Sequence, residues 1–310
     1  MIRLYILILL LFSCTDLLIN NLEYHSVELK GNAWIEVNQG SNFNANDFTI
    51  QSWFSGSDTT LNRTQTIISI LNSSRDILIG IFKDPTYPNH LDIWIDNEHI
   101  ETVEILEELN NIDKFNLITL SGEATVEFIC DGGFNEGTAC DGLYDTETCG
   151  DLGSCISDSK IAISIYLNKT NIFNNSNPTL KTGDLSDINF AIGGMVSDTY
   201  PVTATSFWHG CIDEIRLWNT VLPDSMIVYH NDYPYKLSYE SDSLSYINHL
   251  GHLSGLWRFY SDGETYSIVA NDACSSIERL YNDDPCSTDA KATIYTYGYY
   301  STVLLSEKHK

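Results

Sequence analysis

Trp94 lies in Leu91-Asp92-Ile93-Trp94-Ile95-Asp96, where aliphatic and polar positions alternate. A period of two is that of a strand, so Asp92, Trp94 and Asp96 share the face opposite Leu91, Ile93 and Ile95. An indole flanked by carboxylates suits saccharide recognition, because pyranose C–H faces stack on the ring while the acids accept from hydroxyls. Trp94, Asp92 and Asp96 are therefore the candidate ligand-binding residues. Hydrolysis asks for more than this. Four residues of regular strand hold the Asp92 and Asp96 Cα atoms roughly 13 Å apart at about 3.3 Å per residue, beyond the roughly 5 to 9.5 Å carboxyl separations of glycosidases. The chain also has no Gly-x-Ser-x-Gly elbow, His-Glu-x-x-His or Walker loop. His209, beside Trp208, reads as a loop residue. No catalytic residue is assigned, and a non-enzyme is expected.

Eight cysteines fit an oxidising compartment. Cys130, Cys140, Cys149 and Cys155 cluster in a segment rich in Gly and Asp, and Cys274 and Cys286 bracket a short loop. The spacings in the group of four are unlike the paired C-x₂-C knuckles of structural zinc, and no His lies among them. Two disulfides are expected in that group, with three connectivities open, one between Cys274 and Cys286, and Cys211 as a buried thiol.

Composition frames these groups. The 310 residues include 18 Tyr, 12 Phe and 6 Trp with only 3 Met, a balance that favours sheets. A net charge of −26 repels nucleic acid and anionic lipid head groups, which leaves cationic partners and Ca²⁺ as the compatible classes. Arg3 precedes an apolar run, Leu4 to Phe12, too short to span a bilayer but of secretory-signal length. The ending Leu11-Phe12-Ser13-Cys14 resembles the lipobox of bacterial lipoproteins. That resemblance implies a signal peptide over 1–13, lipidation at Cys14 and a lipid-anchored linker over 14–24. The membrane would be met only through the anchor, with the protein in the cell envelope or on the extracellular surface.

The elements that must carry Trp94 come from a second resemblance. Gly210-Cys211-Ile212-Asp213-Glu214-Ile215-Arg216-Leu217-Trp218-Asn219, followed by Pro223-Asp224-Ser225, reads as a strand ending in a capped helical turn. It resembles the closing strand of laminin G-like domains, which are jelly-roll sandwiches of the concanavalin A type. Ser26 to Val37, Asp47 to Phe54, Ile161 to Asn168, Phe190-Ala191-Ile192-Gly193-Gly194 and Leu253 to Phe259 are similar to other strands and turns of that family, in the same order.

The resemblance implies an all-β, antiparallel jelly-roll β-sandwich over 25–260, with residues 130–158 as a Cys/Gly/Asp-rich insertion between Thr125 to Ile129 and Lys160 to Leu167. Residues 261–310 are expected as a C-terminal extension with a disulfide loop and a strand bearing Tyr295, Tyr297 and Tyr299, packed on the sandwich. Trp34, Trp53, Trp218 and Trp257 match family aromatic positions and are expected to pack. Asp76 matches the first acid of the calcium-binding members, and Asp184 and Asp187 fall where the second would be, which makes Ca²⁺ the cofactor to test. Sandwich glycosidases of the superfamily carry Glu-x-Asp-x-x-Glu on one strand, and that pattern is absent. The implied function is non-catalytic recognition of a glycan or extracellular protein, with a structural envelope domain, or a divergent polysaccharide-active enzyme, as the alternatives.

Overall fold

Runs of Ile, Leu, Val and aromatic residues broken by Asn, Asp and Gly favour strands, and the structure, a computed structural model, is built from them. It describes residues 24–31, 33–38, 44–56, 63–74, 76–84, 86–87, 89–105, 109, 111, 114–133, 135–143, 146–150, 153–175, 178–185, 188–195, 206–234, 252–260, 269–272, 291–296 and 303–307. The strands are β1 (Tyr24–Lys30), β2 (Ala33–Asn38), β3 (Asp47–Gly56), β4 (Gln65–Asn72), β5 (Ile77–Lys83), β6 (His90–Ile95), β7 (Glu98–Glu104) and β8 (Asn116–Asp131). They continue as β9 (Ser154–Leu167), β10 (Thr170–Asn174), β11 (Ile188–Ile192), β12 (His209–Trp218), β13 (Leu253–Tyr260), β14 (Val269–Asp272), β15 (Lys291–Thr296) and β16 (Val303–Glu307). Two short helices, α1 (Thr146–Cys149) and α2 (Asp224–Asp232), and a 3₁₀ turn at Thr182–Leu185 complete the described elements.

The expected antiparallel sandwich is what these strands form. One sheet runs β10-β9-β8-β3-β12-β1-β13-β14, with β16 also on β1, and the other runs β15-β2-β11-β4-β5-β6-β7. Phe48, Ile50 and Phe54 of β3 and Ile212, Ile215 and Leu217 of β12 face Ile68, Ile70, Ile79, Ile81, Ile93 and Ile95 across the interior, all essentially without exposure. Each such side chain contributes about 1.5–3 kcal/mol on burial. The C-terminal strands are hydrogen-bonded into both sheets, β14 on β13, β16 on β1 and β15 on β2, rather than lying against them. Tyr295 falls in β15 opposite Trp34. Tyr297, Tyr299, Cys274, Cys286 and everything before Tyr24, Cys14 included, lie outside the described residues. No described helix is long and apolar enough to cross a membrane.

The first sheet has its outer face covered. Trp218, Leu222, Met226, Ile227, Leu253 and Leu256 pack together there under α2. The helix starts after Pro223 without a side-chain cap, contrary to the capped turn expected, because proline offers no capping oxygen. Beneath it, His230 Nδ1 donates to Gln51 Oε1 (2.9 Å), Trp218 Nε1 donates to the same oxygen (3.2 Å), and Gln51 Nε2 donates to Thr119 Oγ1 (3.2 Å). Tyr166 closes the flank by donating its hydroxyl to Asp224 Oδ1 at 2.9 Å. Burial, and secondarily the Asp224 carboxylate, raises the Tyr166 phenol above the usual value of 10.0. A raised acid stabilises the fold while protonated, so this contribution is complete below pH 10 and is lost as pH rises through the raised value. Ultraviolet titration should show a late-ionising tyrosine component that Tyr166→Phe reduces, with the alkaline loss of stability becoming shallower.

The insertion differs in form from a loop. Strands β8 and β9 stay paired to Asp131 opposite Ser154, so the two flanking strands run on past the sheet as a ribbon. Its tip carries crossed disulfides, Cys130–Cys149 and Cys140–Cys155, and the third segment 138–140 hydrogen-bonds to Phe128 and Cys130. Cys211 corrects an expectation. It is buried but disulfide-bonded, with its partner outside the described residues. Sequence spacing could not show this, because β12 presents Cys211 on the face opposite Ile212, where it is open to a segment remote in sequence. The four tip cysteines and Phe128 form a cluster of their own, separate from the sandwich core. A Cys130→Ala/Cys149→Ala variant should therefore melt the tip, seen as fast amide exchange over 130–155, while the sandwich unfolds at its original temperature.

Candidate functional site

Strand β6 places the platform. Leu91, Ile93 and Ile95 are buried in the core while His90, Asp92 and Trp94 are half-buried on the opposite face, as alternation requires. Register fixes the neighbours of Trp94 on that face: Gly80 of β5 on one side, His99 of β7 on the other. In the next row, Phe82 and Thr102 flank Asp92. The rest of this sheet's outer surface, over β2 and β11, is covered where Trp34, Ala191 and Phe207 pack together. Trp94 thus belongs to the open end of the sheet, where β7 is the edge strand and is exposed along nearly its whole length.

Side chains brace the indole on both sides. The Phe82 ring meets it edge-on at 6.3 Å between centroids, and the His99 ring at 5.7 Å. Gly80 permits the first contact, because a Cβ there would stand 2.4 Å from the Phe82 ring. A proton chain then fixes the polar side. Thr102 Oγ1 donates to Asp92 Oδ1 at 2.7 Å, and His99 Nε2 lies 3.0 Å from Thr102 Oγ1 and 3.5 Å from Asp92 Oδ1. The threonine proton is already given to the carboxylate, so His99 Nε2 donates to the hydroxyl. Asp92 Oδ2 and the Trp94 indole N–H have no hydrogen-bond partner among the described residues. These are one acceptor and one donor beside a half-buried indole. Tyr87, exposed and held by an Asp84 carboxylate that accepts from its backbone N–H, extends the face at 5.2 Å from the His90 ring.

Asp96 is not on this face. The strand ends at Ile95, and Asp96 and Asn97 both have positive φ, 53° and 60°, as the central pair of a two-residue hairpin turn. Asp and Asn tolerate that conformation, and the Asp96 N–H donates to the Leu78 carbonyl at 2.9 Å. His99, Thr102, Phe82 and Tyr87 are the neighbours that the sequence did not assign to the site. A bulge between Ile93 and Trp94 shifts the register of β7, so plain alternation in Glu98 to Glu104 does not reveal that His99 faces Trp94. The Asp-Asn turn was the available signal.

The proposed calcium acids are engaged within their own turns. Asp76 Oδ2 accepts from Asn72 Nδ2 at 3.1 Å while its backbone N–H donates to Asn72 Oδ1 at 2.9 Å, and Asp184 Oδ2 accepts from the Lys181 N–H at 3.0 Å. No hydrogen bond joins Asp76 to Asp184, and Asp187 lies outside the described residues. His209 opens β12 rather than a loop, with its N–H donating to Gln65 Oε1. Trp53, Trp218 and Trp257 are buried packing residues, as is Trp34.

No family model matches this chain, and no curated protein aligns with it. Solved structures to which this chain is similar include a native heptameric SAP-like pentraxin from Limulus polyphemus, at 10% identity over 69% of this chain and 84% of that one, with a TM-score of 0.44. The CBM40 of the Ruminococcus gnavus IT-sialidase, solved bound to α2,3-sialyllactose, is 12% identical over 68% of this chain and 98% of that one, with a TM-score of 0.43. Domains LG4-5 of the mouse laminin α1 chain are 10% identical over 68% of this chain and 46% of that one, with a TM-score of 0.38.

Proposed function

We propose that this chain is a non-catalytic, envelope-anchored binding protein that holds a saccharide on the outer face of β5, β6 and β7. The Trp94 indole serves as stacking platform, and Asp92 accepts from ligand hydroxyls. One observation carries the reading. A half-buried tryptophan stands on a surface where its N–H and the neighbouring carboxylate oxygen both lack a described protein partner, while other tryptophans of the sandwich are packed. An aromatic ring braced by Phe82 and His99 loses little freedom on binding, which is the usual advantage of a preorganised contact. Signal cleavage and lipidation at Cys14 would deliver the domain, and metabolic labelling with palmitate, lost in Cys14→Ala, tests the anchor.

A glycan array with the full chain, run with and without Ca²⁺, tests the site and the metal together. Retention of a glycan by the wild type and its loss in Trp94→Ala is the expected result. Dependence on Ca²⁺ that Asp76→Asn abolishes would assign the metal. No retained glycan would remove the proposal. A second reading, a protein ligand at the β8–β9 ribbon, is favoured by the exposure of Val126 (58%), Leu143 (56%) and Ile156 (38%) there. It predicts that shortening the ribbon, and not Trp94→Ala, abolishes binding.

A further inference from the structure

The charge around Trp94 selects among saccharides, an inference that rests on the saccharide reading above. Two carboxylates lie in the outer-face rows of the hairpin, Asp92 beside Thr102 and the exposed Glu104 opposite His90, whereas Glu98 and Glu101 pair with Ile95 and Ile93 and fall in the core-side rows of the edge strand. The segment from Asp76 to Ile105 holds one Lys, and Lys83 is buried in the row of Leu91, on the core side. Among the described residues of this segment, no Lys or Arg lies in the outer-face rows.

Asp92 makes the selection specific rather than diffuse. Its side chain is only 17% exposed, so its carboxylate has lost much of its water. Its partners are a neutral hydroxyl at 2.7 Å and an imidazole at 3.5 Å. A partly desolvated carboxylate with one oxygen unsatisfied is stabilised most by a charged donor. A hydroxyl offers that oxygen one proton; an ammonium group offers three and a full charge. The same ammonium lies favourably near the face of the indole. An anionic sugar meets the opposite field, and the segment Asp76 to Ile105 offers no guanidinium, and no ammonium outside the core-side row, to receive its carboxylate or sulfate.

We propose that the ligand is a saccharide bearing free ammonium groups, of the de-N-acetylated hexosamine class, stacked on Trp94 with an ammonium against Asp92 Oδ2 and the Glu104 carboxylate near by. The test is a matched set of one oligosaccharide in its amino, N-acetylated and sulfated forms, with a sialylated glycan alongside. Affinity is measured for the full chain in low salt and in 1 M NaCl. Each close charge pair contributes on the order of 1 kcal/mol in water, so a few of them give the amino form roughly 10-fold or more over the N-acetylated form in low salt. At 1 M salt the screening length falls to about 3 Å and the advantage should shrink to about 2-fold.

The variant Glu104→Gln should lower the amino-form advantage and leave the N-acetylated form unchanged. Trp94-dependent binding of the sulfated or sialylated form at equal or higher affinity would overturn the charge inference and leave the saccharide reading standing. Equal binding of amino and N-acetylated forms in low salt would do the same. Absence of binding by all four forms would overturn both.

Discussion

Trp94→Ala should weaken retention of the cognate saccharide by roughly 30-fold or more, the loss that goes with removing a central aromatic contact worth about 2 kcal/mol. The fold should survive the change. Trp94 belongs to the outer face of β6 and its recorded ring contacts are Phe82 and His99, so the cost in stability is held to the value of aromatic pairs, about 0.5–1.5 kcal/mol each. Two measurements separate binding from folding: calorimetric titration for affinity and thermal unfolding for stability. Trp94→Phe should recover part of the affinity, because a smaller ring keeps a π-face but lacks the indole N–H. A structural spacer with no ligand predicts no change of affinity for anything, and a strongly lowered melting temperature in Trp94→Ala would show that the residue packs rather than binds.

Arg216→Ala should be the most damaging single change to the sandwich, at about 3–5 kcal/mol. Arg216 and Glu214 are both within 2% of complete burial on the covered outer face of the first sheet. The guanidinium donates through Nε to Glu214 Oε1 at 2.6 Å, donates through a second nitrogen to the Pro234 carbonyl, and lies 4.5 Å from the centre of the Trp53 ring. Removing it takes a donor away from the buried Glu214 side chain, at a position already set by a bulge, with φ of 38°. At about 2–4 °C per kcal/mol for a domain of this size, the melting temperature should fall by roughly 6–20 °C. Arg216→Met with Glu214→Gln removes both charges and should recover most of the loss. Failure of the double variant to recover would mean that the bulge, not the ion pair, holds this part of β12.

Much of the sandwich is legible in the chain because period-two alternation is a local signal. It places Leu91, Ile93 and Ile95 inward and Trp94 outward without knowledge of any partner strand. The strands Asp47 to Phe54 and Phe190 to Ile192 are recognisable through their resemblance to laminin G-like domains, and Gly210 to Trp218 through its aliphatics ahead of a turn together with that resemblance. What the chain does not reveal is non-local or depends on single backbone conformations. Asp96 leaves the platform because two consecutive residues adopt positive φ, and His99 joins it because a bulge displaces β7 by one position. The bond at Cys211 involves a segment far along the chain. Crossed pairing at the ribbon tip is one of three arrangements that the spacing allowed equally.

That tip also sets an order of assembly. A two-stranded ribbon carries too little apolar surface to hold itself together in water, whereas the sandwich has a full interior to drive its collapse, to which the bond at Cys211 is an addition. The layers can form first, and the projecting finger stiffens only once its thiols are oxidised. Under reducing conditions the same polypeptide would be a sandwich with a loose appendage and without its bond at Cys211, so the oxidant matters most to the finger.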